Sequence, residues 1–332
     1  MGREKHINVG SSGDPLSMLY RARACAALME AHPALQFMDA SDGSVKRARA
    51  KPAADGPDCG KAAAPCGGER RTPPRKNEAR RAASVLHRLG KGEIDVAVMD
   101  ARWIPLRIAG EMEIAAIFSR TNPFDALVSL ESFILDEEPE HTCVAVSDPV
   151  KRGQLLYYRN DLKYVDGAED FDGLFHGMNR GTIDAFVYPA SDVELLNQQE
   201  HVVEVFTTSI CTPVAGQGAL ALLGRRDRKD LLSLLREIND QPAAMEVEIE
   251  RMFLERVARD GKAPIGVLAN VEGSEFEIEA AIVAFDGSER ISGIMSGAIA
   301  DRPRIVDKLA AELLASGGEE IVSSFRGSRG SG

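Results

Sequence analysis

The first forty residues of this chain admit few folds. His6–Val9 alternates polar and apolar side chains, Gly10–Gly13 is a turn, and Asp14-Pro15 opens the next segment. An aspartate at a helix N-cap accepts from unsatisfied N–H groups of the first turn, and proline fits the first helical position because its missing donor is not needed there. A helix is predicted from Asp14 to about Glu30, with Leu16, Leu19, Ala22, Ala26 and Ala27 mostly on one face and His32-Pro33 as its stop. Leu35–Met38 reads as a second strand. Strand, glycine turn, helix, strand is a βαβ opening, which requires a parallel sheet covered by helices.

Residues 41–77 break that rhythm. They hold Gly, Ala, Pro, Lys and Arg with almost no large apolar side chains. Such a segment buries too little surface to offset the entropy of ordering it, so a disordered insertion is expected. Residues 46–91 carry 13 Lys/Arg against 4 Asp/Glu, while the whole chain has a net charge of -11. A basic segment on an acidic protein has the charge to touch a polyanion. No aromatic residue interleaves these charges, which argues against a stacking platform for single-stranded nucleic acid.

Order is expected to resume with a helix at 78–89 and a buried strand at Ile94–Met99. Short strands at Ile114–Phe118, Thr142–Val146, Lys163–Val165 and Asp184–Tyr188 alternate with helical stretches, which describes a second α/β unit. From Arg226 the texture changes. Asp227–Ile238 is an amphipathic helix, and a second helix runs from Pro242 to Val257. Ile265–Val271, Glu275–Phe285 and Ile291–Met295 read as antiparallel strands. Asp301–Ala315 reads as a closing helix before Gly317-Gly318, with a frayed tail at 326–332.

A chain of 332 residues has room for two or three domains. No run of about 18 apolar residues is present, so no membrane span is expected. The N-terminal MGREKHINVG has no apolar h-region, and a chain without a secretion signal is expected. The myristoylation pattern that Met1-Gly2 begins is not completed, because His6 stands where Ser or Thr is needed. Five scattered cysteines, Cys25, Cys59, Cys66, Cys143 and Cys211, favour reduced thiols and a cytoplasmic location. Neither the Cys59/Cys66 pair nor the six histidines has metal-ligand spacing, and no metal is expected.

Four segments occur in order: Asn8–Leu16 (NVGSSGDPL), Asn122–Ser129 (NPFDALVS), Pro213–Leu222 (PVAGQGALAL) and Gly261–Ala269 (GKAPIGVLA). Together they resemble the porphobilinogen deaminase family, also called hydroxymethylbilane synthases, over nearly the whole chain except 41–77. The resemblance implies two periplasmic-binding-protein-like α/β domains joined by a hinge, plus a small C-terminal α+β domain with a three-stranded antiparallel sheet. It places domain 1 at 5–103 and 200–223, domain 2 at 107–196 and domain 3 at 226–325. On this path Val202–Phe206 and Gly218–Leu223 return to the first sheet. A monomer is implied as well.

The family joins four porphobilinogen units on a dipyrromethane primer, which a cysteine holds by a thioether. An aspartate transfers protons, and arginines and a lysine pair with the acetate and propionate groups. Each role suits its residue: a thiolate is the covalent handle, a carboxylate cycles protons beside a developing cation, and arginine binds carboxylates at two points. Here the cofactor loop reads Arg259-Asp260-Gly261-Lys262-Ala263-Pro264-Ile265-Gly266, so Gly261 or Lys262 takes the cysteine position. On this reading no cofactor is expected. The segment Ala97-Val98-Met99-Asp100-Ala101-Arg102-Trp103 puts Trp103, the single tryptophan, at the aspartate position and Arg102 at the lysine position. Asp100 is a substitute acid three residues early, displaced by roughly 10 Å on extended backbone.

Other family arginines are also replaced. Ser12 stands at one such position in Ser11-Ser12-Gly13-Asp14, and Lys151 beside Arg152 keeps one basic charge in another segment. A third segment corresponds to Asp166–Leu174, which holds Asp166, Glu169, Asp170 and Asp172, and an acidic wall repels acid-bearing ligands. Ser11, Ser12, Arg102, Trp103, Lys151 and Arg152 are the expected cleft residues, while Asp125 and Gln217 are expected to serve the hinge. Three functions stay open. One is an inactive or repurposed homologue that binds a small molecule or a tetrapyrrole in the cleft. Another is an active synthase with a non-standard anchor, and the third is an interaction protein acting through 46–91. Nucleic acid and membrane are not expected partners.

Overall fold

The computed structural model describes residues 6–33, 35–39, 75–167, 170–258 and 263–329. Most of the basic insertion, and the loop positions Gly261 and Lys262, lie outside the described residues.

The first α/β unit is built from β1 (His6–Gly10), α1 (Pro15–Ala31), β2 (Gln36–Asp39), α2 (Arg75–Lys91), β3 (Val96–Asp100) and β4 (Met112–Ile117). The chain then leaves this sheet for a second one. That unit holds β5 (Asp125–Ser129), β6 (Cys143–Ala145), α3 (Pro149–Tyr158), β7 (Lys163–Val165), α4 (Phe171–Asn179), β8 (Ala185–Pro189), α5 (Ala190–Leu195) and β9 (Val202–Val205). It returns through β10 (Leu220–Arg225). The first sheet has the order β2-β1-β3-β10-β4 and the second β7-β6-β8-β5-β9. In each, the strand that follows a crossing enters antiparallel as the fourth member of the row. This is the two-crossing path that the resemblance implies.

Strand periodicity explains how two helices cover the first sheet. Ala97 and Met99 of β3 and Ala221 and Leu223 of β10 face Val85 and Leu89 of α2. The alternate residues Val96, Val98, Leu220 and Leu222 face Ala24 and Leu28 of α1. Both central strands are therefore buried on both sides, as a sheet covered by helices on both faces requires. Each fully buried leucine contributes roughly 1.5–3 kcal/mol. Asp14 caps α1 by accepting from Ser17 N–H at 2.9 Å, and Pro15 opens the helix.

The third unit follows β10. It has α6 (Lys229–Glu237), α7 (Gln241–Val257), the antiparallel meander β11 (Ile265–Glu272), β12 (Glu275–Val283) and β13 (Arg290–Ala298), then α8 (Arg302–Leu313) and α9 (Glu319–Arg329). Ile249 and Phe253 of α7 pack with Val267, Ile278, Val306 and Leu309 in one core.

Three expectations are corrected. Val202–Val205 does not rejoin the first sheet: it pairs antiparallel with β5 at the edge of the second, and Phe206 N–H continues the ladder to Asp125 O, so the chain crosses only after Phe206. Met112–Ile117, inside the range expected for domain 2, belongs to the first sheet because β10 pairs along its length. Helix continues past 326, the expected start of the tail: α9 runs to Arg329 after Gly317 turns the chain at φ +117°.

The two crossings lie side by side. Thr121 N–H donates to Gly218 O, and Phe118 N–H to Leu220 O. Gly216 and Gly218 have φ of +79° and +77°. A Cβ on Gly216 would meet the backbone of Ala101 at 2.8 Å, and one on Gly218 would meet Asn122 O at 2.9 Å. Glycine is needed at both positions for the left-handed conformation and for the close approach.

Candidate functional site

A cavity opens where β1 and β3 end, between α1 and α2, which is where open α/β sheets place their ligands. It encloses about 50 Å³, room for a handful of water molecules. Ser12, Asp14, Tyr20, Asp100, Arg102 and Trp103 are among its walls.

Local structure fixes each of these groups. Asp14 is held in place by its capping role and by the hydroxyl of Ser12, which donates to Oδ2 at 2.5 Å. Burial would raise the Asp14 carboxyl, but the Ser12 hydroxyl and the Ser17 N–H outweigh it and hold it below its ordinary value. A carboxylate of the protein itself thus occupies the start of α1, where a ligand's anion would otherwise be favoured.

Asp100 ends β3 and caps a short 3-10 turn, Ala101–Trp103, accepting from Arg102 N–H at 2.9 Å. Capping turns the chain back at once, and this brings Asp100 to the cavity wall. The extended segment assumed from sequence does not continue past residue 100. The Asp100 carboxyl is 3% exposed. Burial, opposed by Arg102 and aided by Asp192, leaves it pushed up to about 6.

Arg102 turns toward the second unit. Its Nη2 donates to Asp192 Oδ2 at 2.6 Å, and its Nε lies 3.5 Å from Asp100 Oδ2. The Tyr20 hydroxyl donates to Asp192 Oδ1 and lies 3.4 Å from Asp100 Oδ2. Burial, then the neighbouring Asp192, holds the Tyr20 hydroxyl well above its ordinary value, so it stays a donor. Trp103 packs partly against the α2-side core, with the Arg102 guanidinium 5.5 Å from its ring centroid, a cation–π distance.

Of the residues expected in the cleft, Ser12, Arg102 and Trp103 line this cavity together. Ser11 sits behind it, 1% exposed, and accepts from Arg21 Nη1 at 3.3 Å. Lys151 and Arg152 are elsewhere. Lys151 is 5% exposed and donates to Asp125 Oδ1 and to Gln217 Oε1. Gln217 donates in turn to Asp125 Oδ1 at 3.1 Å and to Pro123 O at 2.8 Å. Lys151, Asp125 and Gln217 therefore join α3 to both crossings. Arg152 pairs with the exposed Asp166 at 3.2 Å. In the acidic stretch, Asp170 caps α4 through Gly173 N–H. Sequence reasoning missed Tyr20 and Asp192. Tyr20 stands one turn beyond Leu16 in α1, a spacing that hints at the shared face, whereas nothing near Asp192 marks it before the fold brings α5 against Arg102 and Tyr20.

Comparison with known proteins places these features in a family. Residues 82–233 match the family described as porphobilinogen deaminase, dipyromethane cofactor binding domain. A porphobilinogen deaminase of Pelotomaculum thermopropionicum is 30% identical over 236 residues, 71% of this chain and 76% of that one. The porphobilinogen deaminase of Roseiflexus sp. (strain RS-1) is 32% identical over 232 residues, 70% of this chain and 76% of that one. Among solved structures, a TRAP periplasmic solute binding protein from Desulfovibrio salexigens is 8% identical with a TM-score of 0.43, over 71% of this chain and 73% of that one.

The family match overturns the expectation of no cofactor, because the matched domain is the one that binds dipyrromethane. The donor set of this chain differs from the thioether anchor that the resemblance implies. Among the described residues no cysteine lines the cavity, Cys143 and Cys211 are buried, and the loop position carries Gly261 and Lys262 in the sequence. Burial, then Asp125, holds the Cys211 thiol well above its ordinary value, which disfavours the reactive thiolate. No helix among the described residues is long and apolar enough to cross a membrane.

Proposed function

This chain belongs to the porphobilinogen deaminase family, and from that premise we propose that it is a divergent member whose cleft holds a small ligand instead of polymerising porphobilinogen. One observation carries this reading. Arg102, at the position where the resemblance places a substrate-binding lysine, is engaged by Asp192 and Asp100, while Trp103 stands where the proton-transferring aspartate would be. A cation already held by two carboxylates is a poor receptor for a substrate's acid groups. Trp103 offers a flat face on which a planar ring can stack. A ligand of that kind needs more room than the present cavity, since sites for small molecules span roughly 300–1,000 Å³. Binding therefore involves widening this cavity, whose walls come from the first α/β unit. The same reading makes the protein a cytoplasmic monomer, in keeping with its scattered cysteines.

A second reading has one observation in its favour. Asp100 is a buried carboxyl raised to about 6 beside a cationic side chain, which is the tuning a general acid needs near neutral pH. On that reading the protein is an active hydroxymethylbilane synthase with a non-standard anchor. Incubation with porphobilinogen decides between them. The first reading expects no linear tetrapyrrole by chromatography and saturable, reversible quenching of Trp103 emission by planar pyrroles. Sustained product formation that is lost in Asp100→Asn would favour the second.

A further inference from the structure

Asp192 differs from the other groups of the site in its origin. Tyr20 belongs to α1, Asp100 ends β3 and Arg102 follows it, so all three stand on the first unit. Asp192 comes from α5 on the second. Its carboxylate is wholly buried and meets two donors of the opposite unit, Arg102 Nη2 through Oδ2 and the Tyr20 hydroxyl through Oδ1. A guanidinium and a hydroxyl gripping one carboxylate is how a protein holds the acid group of a ligand. Here the protein supplies that acid group itself.

We infer that Asp192 is a built-in carboxylate ligand of this cleft. It fills the Arg102–Tyr20 receptor and fastens the two α/β units, so that a ligand bearing a carboxylate binds only by displacing it. The inference rests on the small-ligand reading of the cleft and adds its regulation and ligand class. Beside the latch, the buried Ser191 hydroxyl has no hydrogen-bond partner among the described residues. An incoming acid group competes with a tethered one, and its apparent affinity falls by the fraction of molecules in which Asp192 has already let go. Removing the charge of Asp192 lifts that competition while leaving Arg102 and Tyr20 in place.

The test is equilibrium titration with succinate, a dicarboxylate, read through the emission of Trp103. That residue is the single tryptophan and lies against the Arg102 guanidinium. Asp192→Asn is expected to bind succinate about tenfold or more tighter than the unaltered protein, within the usual range of coupling between sites. Neutral succinamide is expected to bind both equally weakly. Small-angle scattering of the ligand-free variant is expected to show a larger radius of gyration. The gain in succinate affinity is expected to vanish in Asp192→Asn combined with Arg102→Gln. Equal or weaker succinate binding by Asp192→Asn with an unchanged radius of gyration would overturn the inference, as would a gain that survives loss of Arg102. If Asp192→Asn does not fold, the unaltered protein carries the test: saturating succinate is expected to increase its radius of gyration as the latch is displaced, while succinamide leaves it unchanged. Bound succinate with no change in the radius of gyration would again overturn the latch. Neither result depends on whether porphobilinogen is polymerised, so the latch and the proposed function fail separately.

Discussion

Arg120, on the first crossing, grips Glu250 of α7 with Nη1 at 2.5 Å and Nη2 at 3.3 Å. Glu250 is fully buried and also accepts from Gly216 N–H on the second crossing at 2.6 Å and from Ala269 N–H in β11 at 2.9 Å. One carboxylate thus ties both crossings to the third unit. A buried charge with this many donors holds its geometry because losing any one partner leaves the others unpaired.

Replacing Glu250 should therefore be severe. Glu250→Ala leaves the Arg120 guanidinium buried without its main partner, and a loss of about 3–5 kcal/mol is expected. Glu250→Gln keeps the shape and some hydrogen bonds, so a smaller loss is expected. Urea unfolding of the three proteins measures both. A loss below about 1 kcal/mol in the alanine variant would show that the crossings hold without this carboxylate.

Lys151 separates a structural role from a cleft role. It is buried against Asp125 and Gln217 and is not part of the cavity wall. Lys151→Met strands Asp125 and should cost about 3–5 kcal/mol, while Lys151→Met with Asp125→Asn should recover much of that. Neither change should alter quenching of Trp103 by a bound planar pyrrole, beyond the shift in unfolding midpoint. A direct effect on ligand affinity at temperatures well below unfolding would return Lys151 to the cleft.

The Asp100 carboxyl gives the protein a pH signature. Its folded value of about 6 lies above the ordinary 3.8, so the folded state binds a proton more readily than the unfolded chain between these limits. Stability from this group is present in full below about pH 4 and is lost as pH rises to about 6, by at most about 3 kcal/mol. Other carboxylates, including Asp14, move the opposite way, so the signature is a difference between two proteins. Plotting the unfolding free energy of the unaltered protein minus that of Asp100→Asn should give a curve that falls from pH 4 to 6 and then levels. A flat difference would contradict the assignment.

Much of this architecture is legible in the sequence, and the reasons are local. Asp14-Pro15 marks a helix start because capping depends on two adjacent residues. The meander of the third unit is visible because its strands are long and bounded by turns. The error at Val202–Val205 has a different origin. Its four residues suit either sheet, and only the pairing with β5 decides. The site divides in the same way. Ser12, Arg102 and Trp103 are found by their place in motifs, and the structure puts them around one cavity. Asp192 and Tyr20 lie 172 residues apart, and no local signal joins them. The charge of Lys151 suits the cleft in sequence, but a charge says nothing of which carboxylate will claim it.

The central claim, that the fold is retained while porphobilinogen polymerisation is not, is tested most directly by intact-protein mass spectrometry before and after incubation with porphobilinogen. The account predicts that the protein mass does not climb in pyrrole-sized steps. A covalent ladder growing by successive pyrrole units would contradict it, and would mean that this chain elongates a primer held by an anchor other than the loop cysteine.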